Sequence, residues 1–382
     1  MTEAPAATGA RLRLARQARG FSQQQLAGMA DVSRQAVSAV ESGHSDPSLR
    51  VALALAQALG MTVEELFGPG EAARPVPAIP VAPLSGGQER VVLAPVGDQF
   101  VALPLRMDTA ASMGFIPAGG LAVQAGVAAA AAAPNGAHAA EPVTIAVRPI
   151  GPPRPTLVVA GCDPALPLLA TPLSLLDPPV AFAWWPCGSG EALRLAAAGL
   201  VHAAGVHLRD ASGGYNTAAA GHLPGGADVV GFTAWREGLV IRPELAGTVT
   251  GLDVLARHRL RLVNREAGAE ARRVLDRERA RFGLDPAELP GYDTRAAGHL
   301  QVASAVAAGL ADAGVASEPA AHAYGLGFVP LADERFDLVL PGQHLGSREV
   351  LGLQRVLSSP WLLAQLASLP GYDPAACGVP VG

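Results

Sequence analysis

Between residues 11 and 67 the chain repeats one local instruction: a capping hydroxyl, a short run of helix formers, then a stop. Ser22 precedes Gln23–Ala30, with Gln25 three residues on as the reciprocal partner of a capping box. Asp31-Val32 makes a tight turn, and Ser33 opens a helix over Arg34–Ser42 that Gly43 ends. Ser48–Leu59 is closed by Gly60, and Thr62 opens the last turn, VEELF. Ahead of these, Arg11–Arg19 reads as a basic helix ended by Gly20. Helices this short persist only by packing on one another. Leu12, Ala15, Leu26, Ala30, Val37, Val40, Leu53, Ala56, Leu59 and Leu66 are expected to fill the centre of a five-helix cluster.

The second helix of a helix-turn-helix enters the major groove with its N-terminal residues toward the bases. Here Ser33 caps that helix, and Arg34, Gln35 and Ser38 take the base-facing places. Arginine matches the guanine edge and glutamine the adenine edge by paired hydrogen bonds. The run FSQQQLAGMADVSRQAVSAVESG, followed by PSLRVALALAQALGMTVEELF, closely resembles the lambda-repressor-like (XRE) helix-turn-helix family. The resemblance implies binding to double-stranded DNA, with Gln23 at a phosphate and Arg34, Gln35 and Ala39 facing bases. It also implies a structural ion pair between Arg16 and Glu41. Six arginines against six acidic residues in residues 1–67 leave the module neutral. A helical bundle for protein contacts is therefore the alternative.

Beyond Phe67 the run GPGEAARPVPAIPVAPLSGG reads as a linker. Residues 89–105 hold two apolar runs around Gly97-Asp98, a hairpin pattern, and Gly126 to Pro142 is an Ala-rich insertion. From Val143 onward, strand-like runs (TLVVAG, RLRLVN, FDLVLP) alternate with helical stretches, the pattern of α/β units with parallel strands. The expected organisation is a DNA-binding head at 1–68, a linker at 69–88, a small β-rich connector at 89–152 and a ligand-sensing domain at 153–382.

Composition limits what this architecture can be. Hydrophobic residues make up 50% and charged residues 16%, so a large core is available and global disorder is excluded. All 28 basic residues are arginine, and a net charge of −5 argues against non-specific coating of nucleic acid. Cys162, Cys187 and Cys377 lack the spacing of a disulfide framework or a zinc site, and the histidines show no metal pattern. The first 20 residues lack the apolar core of a secretory signal, and no apolar run is long enough to span a bilayer. A cytoplasmic protein without membrane contact is expected.

Four strand-to-helix junctions stand out in the C-terminal part. They are AGCDPAL around Cys162 and Asp163, PCGSGEAL around Gly188 and Ser189, VNREAG around Asn264 and Arg265, and GHLQVAS beginning at His299. Helix N-termini are natural anion sites, so several of them facing one cleft could cradle a small ligand. Simpler roles stand beside this one. Ser189 is equally a helix cap, Arg265 a partner of Glu266, and His299 a helix-start cap. Tyr215 and Asn216 are either a turn or a cleft wall, and Cys162 and Cys187 are by default buried inert thiols, with a thiol or metal sensor as the alternative.

These junctions, with GVHLRDASGGYN, WREGLVI, GLGFVPLADERFDLVLP and LPGYD, resemble the periplasmic-binding-protein-like domain of molybdate-binding type. The resemblance implies a type II fold of two α/β lobes with a hinge and ligand in the cleft. Molybdate or tungstate would be an effector, not a resident cofactor. One departure bears on the ligand. Where the family shows NR-x-x-GSGTR, this chain has Asn264-Arg265-Glu266-Ala267-Gly268-Ala269-Glu270-Ala271-Arg272, losing hydroxyl donors and adding the Glu270 charge. A small organic metabolite therefore stands beside the oxyanion.

The expected whole is multidomain, an all-α helix-turn-helix head plus an α/β two-lobed binding domain. Its function would be effector-controlled, sequence-specific DNA binding by a homodimer on a palindromic operator. A ligand-buffering protein with a protein-docking head is the alternative. No nucleophile elbow, P-loop, strand-following GxGxxG or HExxH is present, and Asp163 with Glu191 makes no convincing acid/base pair. No enzyme activity, catalytic residue or metal ligand is expected.

Overall fold

The computed structural model describes residues 5–67, 74–105, 116–123, 143–210 and 214–381. It divides into two compact units, Met1–Pro75 and Val76–Gly382. The Ala-rich stretch Gly126 to Pro142, the first linker residues 68–73 and part of the loop before Tyr215 lie outside the described residues.

The first unit is five helices: α1 (Pro5–Ala18), α2 (Gln23–Met29), α3 (Arg34–Glu41), α4 (Leu49–Ala58) and α5 (Val63–Phe67). α1 begins six residues ahead of the expected Arg11, and the stops at Gly20, Gly43 and Gly60 all have positive φ, where a side chain would strain the backbone. Ser22 and Gln25 form the reciprocal capping box, and Ser33 and Ser48 accept backbone N–H bonds at the starts of α3 and α4. Leu12, Leu26, Val37, Leu55, Leu59 and Leu66 share the core. One core assignment is corrected: Leu53 is 53% exposed, and Leu55 is fully buried in its place. Residues 52, 55, 56 and 59 recur at the three-and-four spacing of a single helix face, and 53 falls off it.

The second unit begins with a closed barrel of β1 (Val76–Pro80), β2 (Glu89–Val96), β3 (Gln99–Pro104), β4 (Gly120–Val123) and β5 (Ile145–Pro149), in the order β1-β3-β2-β4-β5. β2 and β3 form the hairpin over Gly97-Asp98, with Val96 opposite Gln99. β1 lies within the expected linker. Its prolines give it linker composition, yet it pairs with both β3 and β5 to close the barrel. The barrel is not a loose connector either, because Val81, Val96, Val101 and Leu103 share one core with Val158, Ala160 and Ala204 of the following domain.

That domain is built on one eight-stranded sheet: β6 (Thr156–Gly161), β7 (Ala181–Pro186), β8 (Ala203–Val206), β9 (Ala227–Ile241), β10 (Leu262–Arg265), β11 (Arg295–Ala296), β12 (Ala313–Ser317) and β13 (Gly327–Pro341). The order is β11-β10-β12-β9-β13-β8-β6-β7. β6, β7 and β8 run parallel in one lobe, and β10, β11 and β12 run parallel in the other. The 15-residue strands β9 and β13 pair antiparallel along their length and pass through both lobes. FDLVLP, expected in a parallel strand, is thus part of an antiparallel one: apolar runs report burial on both faces and are silent about direction.

The first lobe carries α6 (Ala170–Ser174), α7 (Ser189–Ala197), α8 (Thr217–Ala220), α13 (Arg348–Leu357) and α14 (Pro360–Ala367). The second carries α9 (Leu252–Arg257), α10 (Glu270–Arg281), α11 (His299–Ala307) and α12 (Glu318–Ala323). Gly205 on β8 is required by contact: a Cβ there would lie 2.3 Å from the Phe336 ring of β13.

Two predictions follow from this packing. Leu55→Ala should destabilise the head by about 2–5 kcal/mol in denaturant unfolding, against less than about 0.5 kcal/mol for Leu53→Ala. Equal effects would mean that the core is assigned wrongly. His202, buried between β6 and β8, accepts the Val158 N–H at its Nδ1 (3.1 Å). Burial, aided by the neighbouring His344, pushes its pKa down to about 3. The unfolded chain protonates this histidine near its ordinary value while the native ring stays neutral, so stability should fall as pH drops from about 6.5 toward 3. A wild-type acid transition matching that of His202→Asn would contradict this.

Candidate functional site

Two features of the head bear on DNA. Arg34, Gln35, Ser38 and the cap Ser33 are all exposed along the first turns of α3. The Arg16 guanidinium donates to both Glu41 oxygens, at 2.6 and 3.0 Å, joining α1 to α3. Burial opposes the Glu41 charge, but bonds from Arg16 and Gln23 outweigh it and hold the carboxyl below its usual range. Gln23, half-buried, spends its amide on Glu41 (2.9 Å).

In the second unit a crevice of about 30 Å³ separates the lobes. Cys162, Trp184 and Cys187 line it from one lobe, and Arg265, Glu266, Gly298 and His299 from the other. β6 and β7 end side by side, bringing Cys162 and Cys187 to the same rim, and α7 and α11 both start beside it. Their positive ends therefore face the opening.

Of the residues singled out from sequence, Cys162, Arg265 and His299 line this crevice. Gly188 caps α7 with its backbone, and a Cβ placed there would stand 3.4 Å from Glu266, so the lobes approach closely here. Ser189 is the first residue of α7 and not its cap; its hydroxyl accepts the His207 N–H at 3.1 Å. Arg265 is 98% buried as a side chain and is held at both ends of its fork by Glu266 (2.8 and 2.9 Å), so the ion-pair and crevice roles coincide.

The other four are engaged with the protein itself. Asp163 accepts from Tyr372 (2.6 Å), Thr233 (2.8 Å) and the Ala165 N–H (2.8 Å). Asn264 accepts from the Arg265 N–H and donates to the Tyr292 carbonyl. Asn216, at φ +62°, bonds the Leu208 N–H and Asp337, and Tyr215 donates to the Asp333 carbonyl. Glu270, expected to project charge toward the ligand, is buried and paired with Arg273 (3.2 Å) and Arg277 (2.8 Å) of its own helix. Glu266 is the carboxylate that lines the crevice.

Sequence reasoning missed the floor of the site. Glu237 of β9 and Glu334 of β13 are both buried, as is His207 directly after β8. His207 Nδ1 is 3.5 Å from Glu334, and His299 Nδ1 is 3.5 Å from Glu237. His207, Trp235, His299 and Phe336 form an aromatic box with ring centroids 5.4–6.2 Å apart. Burial pushes the Glu237 pKa up to about 7, with Glu334 adding to the rise. Burial also drives His299 well below its usual range, helped by Arg265. Burial disfavours charge on His207 as well, but Cys162, Glu334 and Glu237 outweigh it and raise its pKa well above the ordinary value. The available signal was a glutamate inside each of two otherwise apolar strands, WREGLVI and LADERFDLVL.

Fold and crevice define a two-lobed binding domain in the same chain as a helix-turn-helix head, and comparison with known proteins agrees. The helix-turn-helix family matches residues 12–66, and the PBP superfamily domain matches residues 170–358. The chain belongs to both, through its head and its C-terminal domain respectively.

An uncharacterized protein encoded in the 5′ region of a 2Fe-2S ferredoxin gene of Clostridium pasteurianum is 32% identical over 106 residues, 28% of this chain and 94% of that protein. The uncharacterized protein YvgK of Bacillus subtilis (strain 168) is 32% identical over 178 residues, 45% of this chain; the chain spans 56% of its length. The restriction-modification controller protein C.AhdI of Aeromonas hydrophila is 41% identical over 16% of this chain and 96% of its own, with a TM-score of 0.16. Among the described residues, no helix is long and apolar enough to cross a membrane.

Proposed function

We propose that this chain is a transcription regulator whose affinity for DNA is set by a small ligand in the interlobe crevice. The observation that carries the reading is the presence, in one chain, of exposed Arg34, Gln35 and Ser38 at the start of a helix-turn-helix second helix and of a crevice walled by two lobes. The head supplies bidentate base readout. A dimer of such heads would span half-sites one helical turn apart, hence a palindromic operator in the cytoplasm.

The crevice suits a small effector. Molybdate or tungstate is the first class to test, because two helix N-termini and Arg265 border the opening. A compact metabolite is the second, because the guanidinium is already paired with Glu266. The ligand acts only to the extent that it binds one lobe arrangement more tightly than the other.

The test begins with selection of a duplex from a random pool by the full chain. Arg34→Ala and Gln35→Ala should each weaken binding to that duplex by about 1–3 kcal/mol and relax the choice of one base pair, with unchanged melting. Failure to enrich any duplex, in a protein that still binds a crevice ligand, would favour a buffering protein whose head docks on another protein. Thermal-shift titration with molybdate, tungstate, sulfate and phosphate beside small metabolites identifies the effector. A ligand at a hundred times its Kd adds about 2.7 kcal/mol to stability.

A further inference from the structure

Three side chains able to hold a metal meet beneath the crevice. Cys162 follows β6, His207 follows β8 and His299 opens α11; each offers one ligand atom, all within 4.8 Å of one another, and all three residues are buried. Behind each imidazole stands a carboxylate on a crossing strand, Glu334 behind His207 and Glu237 behind His299, each 3.5 Å from Nδ1. The four oxygens of these carboxylates, His207 Nδ1 and His299 Nε2 are all buried with no hydrogen-bond partner. Orphaned polar atoms are rare in native interiors and costly, and here six converge on one place.

We propose that Cys162, His207 and His299 bind one divalent transition-metal ion of zinc type, with Glu334 and Glu237 orienting the two imidazoles. A thiolate with two imidazoles is a borderline-soft donor set, suited to zinc or cobalt and not to magnesium or calcium. A carboxylate behind the distal nitrogen of a metal-bound histidine is the usual outer support, fixing tautomer and ring orientation. His299 Nδ1 now accepts the Ser317 N–H at 3.2 Å, so metal at Nε2 requires Glu237 to take over Nδ1. Three protein ligands leave a fourth position, which faces the crevice that Cys162 and His299 also line.

Cys162 and His207 belong to one lobe and His299 to the other. Zinc bond lengths of about 2.0–2.3 Å require ligand atoms roughly 3–4 Å apart, so loading draws the lobes together by a small step. The site goes beyond the regulator reading and does not depend on it, because metal retention is read without DNA.

The test uses the purified full chain, stripped with chelator and dialysed against Co²⁺ or Zn²⁺. The expected result is one ion per chain and, with Co²⁺, a near-ultraviolet thiolate-to-metal charge-transfer band. Cys162→Ser and His299→Gln should abolish the band, Cys377→Ser should keep it, and Glu237→Gln should keep it with affinity about 10–100-fold weaker. If Cys162→Ser does not fold, as judged by circular dichroism, His299→Gln and Glu237→Gln carry the test. A chain that retains no ion, or a band that survives in His299→Gln, overturns the site. The cluster then holds only a proton, on His207.

Discussion

The pairing of β9 with β13 is the constraint on which the second unit depends. Both strands run 15 residues and are bonded to each other almost from end to end. Each lobe adds its own parallel strands to the outer edges of this ribbon, β8 on one side and β12 on the other. Residues near the middle of the ribbon are therefore covered from both lobes at once. Trp235 and Phe336 use that position as core does, with ring centroids 5.4 Å apart. Glu237 and Glu334 occupy the same stretch and cannot be satisfied in that way.

Burial without a donor penalises each of these carboxylates, and removing two negative charges from water is tolerated only where a proton, a cation or a hydrogen bond compensates. The neighbouring groups show how the chain copes. Asp163, equally buried, has three donors. Arg265 and Glu266 neutralise each other, and Glu270 is answered by two arginines of its own helix. Only the pair on the crossing strands is left facing two imidazoles and a thiol. A fold selected for stability alone would place apolar side chains there. Titratable groups retained at the junction of two lobes, under a crevice that opens to solvent, point to ligand chemistry at the place where a relative movement of the lobes would originate.

The head was readable almost residue by residue, because its signals are local. Ser22 with Gln25, Ser33, Ser48 and the glycine stops each act within one turn, and the structure places them as caps. The error at Leu53 is one of phase: an Ala/Leu-alternating helix offers two plausible faces, and only the neighbouring helices choose Leu55. In the second unit the junctions were visible, but strand direction and β1 were not, since pairing partners sit tens of residues away in sequence and prolines disguise a strand as linker. The floor of the site was least legible. Cys162, His207, Glu237, His299 and Glu334 span 173 positions without a motif, and only the long ribbon brings them together.

The most direct test of the account is the Kd of the full chain for its selected duplex as the crevice is filled. It should be measured with neither ligand, with saturating Zn²⁺ and with saturating molybdate, in protein verified to hold the ligand. Effector control predicts that at least one ligand shifts this Kd by about 5–150-fold, the usual range of coupling between sites. An identical Kd in all three conditions, with occupancy confirmed, would contradict it.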